Sequence, residues 1–454
     1  MYRLPYGRKE LTFRLPDGLR PTVVAGHAWD DWMSAERDRG PAVEADEGMP
    51  AERGGTSAAE ESNAERPAAS RLIAEALASP IGSPPLREVA QGRQNAVILI
   101  SDLSRLCPSY LFLEALLDEL NAGGIPDSRI RVVVALGAHR RQTESELEQL
   151  AGPGAYRRVR VLNHSSNPAD CVRLGVTRRG TPVEINRLVA EADLRIATGN
   201  IEPHRLAGMS GGAKALFPGV ASVPSIEANH SLSMANPTSP GTLDGDVRRD
   251  IEEMLSFLPV HFLFNTVADP RKRLLAAFAG DVTAAHRRGV EKARELFFVP
   301  AAAFDLTIAS AGGHPKDLQL YQAIKSLQNA AAFTKPGAPI LLAAECGELY
   351  GNNVFQAWME AGGDRQAALE KLRGTFVLGA HKWEQLDRIL AKHPVYLCSS
   401  LPASIAELIG CRPVASLQET IDRLVASFSG EAGILPFASI TFTEEKASPW
   451  HGPR

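Results

Sequence analysis

The sequence holds little from which to build a covalent or metal framework. Its five cysteines, Cys107, Cys171, Cys346, Cys398 and Cys411, are scattered over 454 residues with no C-x-x-C pair. That spacing excludes a disulfide scaffold and a zinc cluster and fits reduced, packed thiols. There is no H-E-x-x-H or H-x-H pair, so a zinc hydrolase has no support. Neither sign of charge dominates: 49 Lys and Arg against 53 Asp and Glu leave a formal net charge of -4. Electrostatic capture of nucleic acid or of an anionic membrane is therefore not the main function, and neither partner is expected. No apolar run approaches the ~18–20 residues that cross a bilayer. One of the longest, residues 338–344, has the length of a buried strand. The amino terminus passes from Met1-Tyr2-Arg3-Leu4-Pro5 into charged residues without an apolar signal core, so a cytoplasmic protein is expected.

What is present is an α/β cadence. Apolar runs at 96–100 and 130–136 bracket a helical pattern at 110–121, a βαβ unit. A strand is predicted at 193–197 and a helix at 283–296. The cadence then restarts with strand 304–309, helix 318–332, strand 338–344, helix 365–372, strand 395–398 and helix 417–428. This predicts two α/β domains, residues 1–296 and 297–454, with a cofactor- and substrate-binding cleft between them. From about residue 34 to 70 Glu, Ala, Gly, Pro and Ser dominate. Such a stretch buries too little apolar surface to offset its ordering entropy, so 34–95 reads in part as a low-complexity insertion.

The most informative segment is residues 199–214, GNIEPHRLAGMSGGAK, directly after a predicted strand. Loops at the carboxyl ends of such strands bind ligands. Gly208, Gly211 and Gly212 would let backbone N–H groups approach an anion, and a helix starting after Gly212 would add its positive end. A tight turn carrying a solvated Lys214 fits the same spacing. Gly208-Met209-Ser210-Gly211-Gly212 satisfies G-x-S-x-G. A nucleophile elbow places its serine between strand and helix, whereas Ser210 lies well past Gly199 and beyond Pro203; a serine hydrolase using Ser210 is the alternative that remains. A Walker A loop is excluded by its missing G-x-x-x-x-G-K spacing and by Ala215 in place of the magnesium-binding hydroxyl residue. His139, His204 and His230 all fall in segments assigned to loops after strands, which suits proton transfer or metal ligation, though each singly also fits a structural imidazole.

Several ordered motifs carry a resemblance. They are Pro5-Tyr6-Gly7, Asp102-Leu103-Ser104-Arg105, Gly137-Ala138-His139-Arg140, Glu202-Pro203-His204, Ser210-Gly211-Gly212-Ala213-Lys214 with Pro218-Gly219, Asn229-His230, Gly312-Gly313-His314-Pro315 and Leu320-Tyr321-Gln322-Ala323-Ile324-Lys325. Together they resemble the lactate racemase family, whose members invert 2-hydroxy acids with a nickel-pincer nucleotide, over nearly the whole chain outside 34–95. The resemblance implies that Lys214 forms the covalent link to this cofactor, a pyridinium-3-thioamide-5-thiocarboxylic acid mononucleotide, and that His230 is the protein ligand to nickel. Sulfur, carbon and sulfur from the pincer plus one imidazole give a square-planar centre. It further implies His139 and His204 as alternating acid and base, Asp102, Arg105, Ser210, Gly211 and Gly212 at the cofactor, and Gln322 and Lys325 on the substrate, with Arg105 there too. Trp383 would match the family's cleft tryptophan, or be a packing indole. Cofactor-synthesis enzymes are implied as maturation partners.

The chain departs from the family pattern where substrate choice is set. Ser104 and Leu106 stand for threonine and proline, Arg205 for an aromatic residue after His204, Arg141 for a proline, and His314 and Lys316 for a tyrosine and an uncharged neighbour. Added cations in an acidic chain suit a second substrate carboxylate, with Arg205 as its partner, and equally fit arginines that face solvent or the cofactor phosphate. The expected substrate is malate or lactate; an epimerase acting on a larger 2-hydroxy acid is the alternative within the family.

Overall fold

A computed structural model describes residues 1–16, 18–26, 65–361, 365–426 and 430–444. They form two compact units, a central unit from residues 61–295 and a terminal unit from 1–60 together with 296–445. Both are α/β.

The main sheet of the central unit has six strands, β1 (Ala96–Ser101), β2 (Ile130–Ala135), β3 (Arg160–Asn163), β4 (Leu194–Asn200), β5 (Phe262–Ala268) and β6 (Leu274–Gly280). Their order is β6-β5-β4-β1-β2-β3, all parallel except the antiparallel edge strand β6. Parallel strands covered on both faces read as unbroken apolar runs, and β4 is buried at every position. Helix α1 (Ser109–Ala122) follows β1 and buries Phe112, Leu113, Leu116, Leu117 and Leu120, the stripe of a 3.6-residue period. Each such side chain stabilises the fold by about 1.5–3 kcal/mol.

The terminal unit's sheet contains β7 (Leu306–Ser310), β8 (Ile340–Ala343), β9 (Val395–Cys398), β10 (Arg412–Pro413) and β11 (Glu431–Leu435), joined by strand Arg20–Val23 in the order β10-β9-β8-β7-β11-(20–23), all parallel. One face packs Leu306, Ile308 and Ile434 against Leu4, Tyr6 and Phe13 of the amino-terminal hairpin Tyr2–Tyr6/Lys9–Phe13. This corrects the division at 296: the chain turns over there, but the amino terminus belongs to the second unit. Pairing of Glu431 with Arg20 is nonlocal and leaves no periodic trace in the sequence.

Residues 34–64 of the predicted insertion lie outside the described residues. Residues 65–95 are ordered by helices Glu65–Ala78 and Leu86–Val89, which bury Ile73, Leu77 and Leu86 in the central core, so the insertion does not extend through them.

Candidate active site

Three neighbouring strands, β4, β1 and β2, deliver the site residues from their carboxyl ends, the ligand edge of an open α/β sheet. Asp102 follows β1 and His139 follows β2. His139 Nδ1 lies 3.2 Å from Asp102 Oδ2, while Arg105 Nε lies 3.7 Å from the same oxygen and Ser104 N donates to Oδ1 at 2.9 Å. Burial alone would raise the Asp102 carboxyl. The charge and hydrogen bond of His139, then Arg105 and Ser104, outweigh burial and hold it well below the usual carboxylate range. An ionised Asp102 accepts a hydrogen bond from Nδ1–H, which leaves the lone pair of His139 on Nε2.

After β4 the chain makes a tight hairpin, Pro203–His204 against Gly208–Met209. His204 Nδ1 accepts from the backbone N–H groups of Leu206 and Ala207, both at 3.2 Å, so its ring carries hydrogen on Nε2. The Ser210 hydroxyl donates to the Asn200 carbonyl at 2.6 Å and accepts from Glu202 N at 2.8 Å. It therefore ties the loop to the end of β4, and the elbow geometry of a hydrolase is not formed.

Two of the backbone N–H groups expected to face an anion are engaged within the protein. Ser210 N donates to Glu202 O and Gly212 N to Asn265 Oδ1, both at 2.8 Å. Gly211 and Gly212 have φ of 75° and 62°. A Cβ on Gly211 would sit 2.7 Å from Asn265 Oδ1, and one on Gly212 would sit 2.7 Å from His286 Cγ. Both positions are closely packed. The segment after them, Gly212–Ala215, is one 3-10 turn and supplies no helix end. Lys214 sits on that turn, partly exposed.

His230 is on a helix, not a loop. Ser222 accepts from Ser225 N and Pro224 opens the first turn of α2 (Val223–Ala235); the Gly- and Ser-rich composition upstream concealed this start. Burial, then the positive charges of Lys214 and His139, push the His230 pKa down to about 3, so its imidazole is neutral. Lys214, His139 and His230 thus share one electrostatic neighbourhood. Arg205 is pushed down to about 10 by burial.

Sequence reasoning missed the residues that hold this loop from behind. His286 Nε2 donates to Ser210 O at 2.7 Å, Asn265 receives Gly212, and the fully buried Arg248 donates to the carbonyls of Ala207 and Met209. Each is isolated in sequence and belongs to no motif. Helix α3 (Asp246–Glu253) follows α2 in the central unit. In the terminal unit, on α4 (Leu320–Ala332), Lys325 Nζ donates to Gln322 Oε1 at 2.6 Å, one helical turn away. Trp383 is 4% exposed inside the terminal unit's core, with the Arg365 guanidinium 5.4 Å from its ring centre. It packs within that core.

Two family profiles match the chain, the lactate racemase N-terminal domain over residues 47–241 and the lactate racemase C-terminal domain over residues 299–435. The chain belongs to the lactate racemase family. It is 35% identical to the lactate racemase of Thermoanaerobacterium thermosaccharolyticum over 334 residues, 72% of this chain and 78% of that protein. It is 35% identical to that of Lactiplantibacillus plantarum over 337 residues, 72% and 79% of the two chains. The solved lactate racemase apoprotein from T. thermosaccharolyticum superposes with a TM-score of 0.80 at 28% identity, covering 98% of this chain and 99% of its own. A Thermotoga maritima protein at 18% identity and TM-score 0.63, covering 84% and 97%, shares the fold. As a member of the lactate racemase family the chain is an isomerase, a racemase. Among its described residues no helix is long and apolar enough to cross a membrane.

Proposed function

We propose that this racemase inverts C2 of a short 2-hydroxy acid in the cytoplasm, using a nickel-pincer nucleotide linked to Lys214. The observation that carries this reading is the coupling of a lysyl amine and the His139 imidazole to a neutral His230. The residues present fit such a group. Among the described residues no cluster of three or more His, Cys, Asp or Glu can hold a metal; the proposed cofactor would bring most of its metal's donors, and His230 suffices as a single protein ligand. The buried Nδ2 of Asn200, at the end of β4, has no hydrogen-bond partner, a donor that a bound polar group would satisfy. Maturation by cofactor-synthesis enzymes is part of the proposal.

When bound, the cofactor would supply a reversible acceptor for the C2 hydrogen as hydride. The chain's own residues handle the proton and the orientation. His139, with Asp102 fixing its Nδ1–H, takes the hydroxyl proton at Nε2. His204 serves the opposite face through its Nε2; becoming a cation requires it to give up the two backbone bonds to Nδ1. Between the two half-reactions the substrate is a planar 2-keto acid, with Asp102 and Arg105 supporting substrate and cofactor. Ser210, Gly211 and Gly212 position Lys214. A partly buried Arg205 beside His204 favours a dicarboxylate such as malate over lactate.

The test is chain produced with the cofactor-synthesis enzymes, then weighed intact, assayed for nickel, and given enantiopure malate and lactate deuterated at C2. Racemisation with retained label is expected. Protein with neither added mass nor nickel overturns the proposal.

A further inference from the structure

Asn229, immediately before the proposed nickel ligand, is fully buried on α2. Its Nδ2 donates to Asp250 Oδ2 at 2.8 Å and to Val247 O at 3.2 Å, both on α3. A carboxylate and a carbonyl only accept, so the amide has one orientation, and the choice between its O and N is settled by chemistry. Its Oδ1 then faces His230 Nδ1 at 3.2 Å. An amide oxygen in turn only accepts, which requires hydrogen on Nδ1. Asp250 is itself fully buried and anchored: its Oδ1 receives the Thr177 hydroxyl at 2.6 Å, and Thr181 N donates to that hydroxyl at 3.1 Å.

We infer that Asp250 and Asn229 form a buried relay that fixes the His230 proton on Nδ1 and presents Nε2 as the nitrogen that binds nickel. This rests on the proposed role of His230 and extends it to two positioning residues. Metal-binding imidazoles take their ring orientation and basicity from the partner of the other nitrogen, and loss of that partner weakens metal binding by about 10–100-fold. Here the carboxylate acts through an amide, which delivers orientation without a second negative charge next to the ring. Nothing in the motif Asn229-His230 announces Asp250, which lies on the next helix.

The first measurement needs no cofactor. In ¹⁵N-histidine-labelled chain made without the synthesis enzymes, long-range ¹⁵N–¹H correlations report which ring nitrogen of His230 carries hydrogen; His230→Gln assigns the signal. Hydrogen on Nδ1 is expected, and hydrogen on Nε2 overturns the relay. The second uses nickel-loaded chain and follows nickel release to a chelator. Asn229→Leu should release nickel about 10-fold faster or more and lose the Nδ1–H preference. Asp250→Asn should retain both, because its side-chain carbonyl still accepts from Asn229 and the Thr177 hydroxyl can reverse to accept. An Asn229→Leu chain with unaltered tautomer and release rate overturns the relay, and the wild-type spectrum decides alone if that variant does not fold. Absence of nickel and of a Lys214 adduct in wild type would instead overturn the cofactor reading, with the tautomer still measured.

Discussion

Nδ1 of His139 lies 3.2 Å from Oδ2 of Asp102, two residues brought together from the ends of adjacent strands β1 and β2. The carboxylate is 4% exposed. That pair makes one nitrogen of His139 a proton acceptor.

Asp102→Asn should therefore lower kcat on the order of 10²-fold, since an amide reads either tautomer of His139. The folded-state pKa of Asp102 is depressed, so its contribution to stability is complete above the ordinary carboxylate range and is lost as pH falls through that range toward the folded value. Unfolding midpoints of wild type and Asp102→Asn should accordingly differ most near neutrality and converge in acid. A gap that widens on acidification would contradict the assignment.

Lys214→Ala should abolish racemisation and any mass adduct while leaving the melting temperature nearly unchanged. Lys214 is partly exposed on a single 3-10 turn, and such substitutions usually alter stability by no more than about 0.5 kcal/mol. Intact mass and calorimetry on the same sample check both halves.

Arg205→Ala should raise KM for malate about 10-fold or more, the worth of a charge-assisted hydrogen bond, with a smaller effect on lactate. Equal effects on the two acids would remove Arg205 from substrate choice.

Gly212→Ala places a Cβ 2.7 Å from the His286 ring at a φ of 62°. Strain plus displacement of the ring should cost about 1–3 kcal/mol, read in a denaturant melt, and loosen the loop that carries Lys214.

His286 gives a pH signature. Burial and then Arg248 lower its pKa to about 3 despite its bond to Ser210 O. The folded state thus resists a proton that the unfolded chain accepts near 6.5, and stability falls as pH drops from about 6.5 toward 3. His286→Gln keeps a donor for Ser210 without titrating, so its melting temperature should decline less over that interval. Parallel pH profiles for the two proteins would refute this.

The two α/β units, most of their strands and the turnover at residue 296 follow from local apolar periodicity, which survives in a linear reading because buried parallel strands and amphipathic helices each have a fixed period. Asp102, His139, His204, Lys214 and His230 were legible because they sit in compact motifs. The role of Gly211 and Gly212 was not, since identical glycines serve an anion cradle or a close packing, and only Asn265 and His286 from distant strand and helix distinguish the two. Trp383 was ambiguous for the same reason, as burial is not a property of an indole but of its neighbours.

The sequence by itself determined the α/β class, the family and the chemical inventory of the site, because residue types and their spacing are local quantities. Only the tertiary structure decided that strand 20–23 closes the second sheet, that Asp102 meets His139, and that Asp250 reaches His230 through Asn229. Those relations join segments far apart along the chain, where contact depends on chain packing and not on spacing.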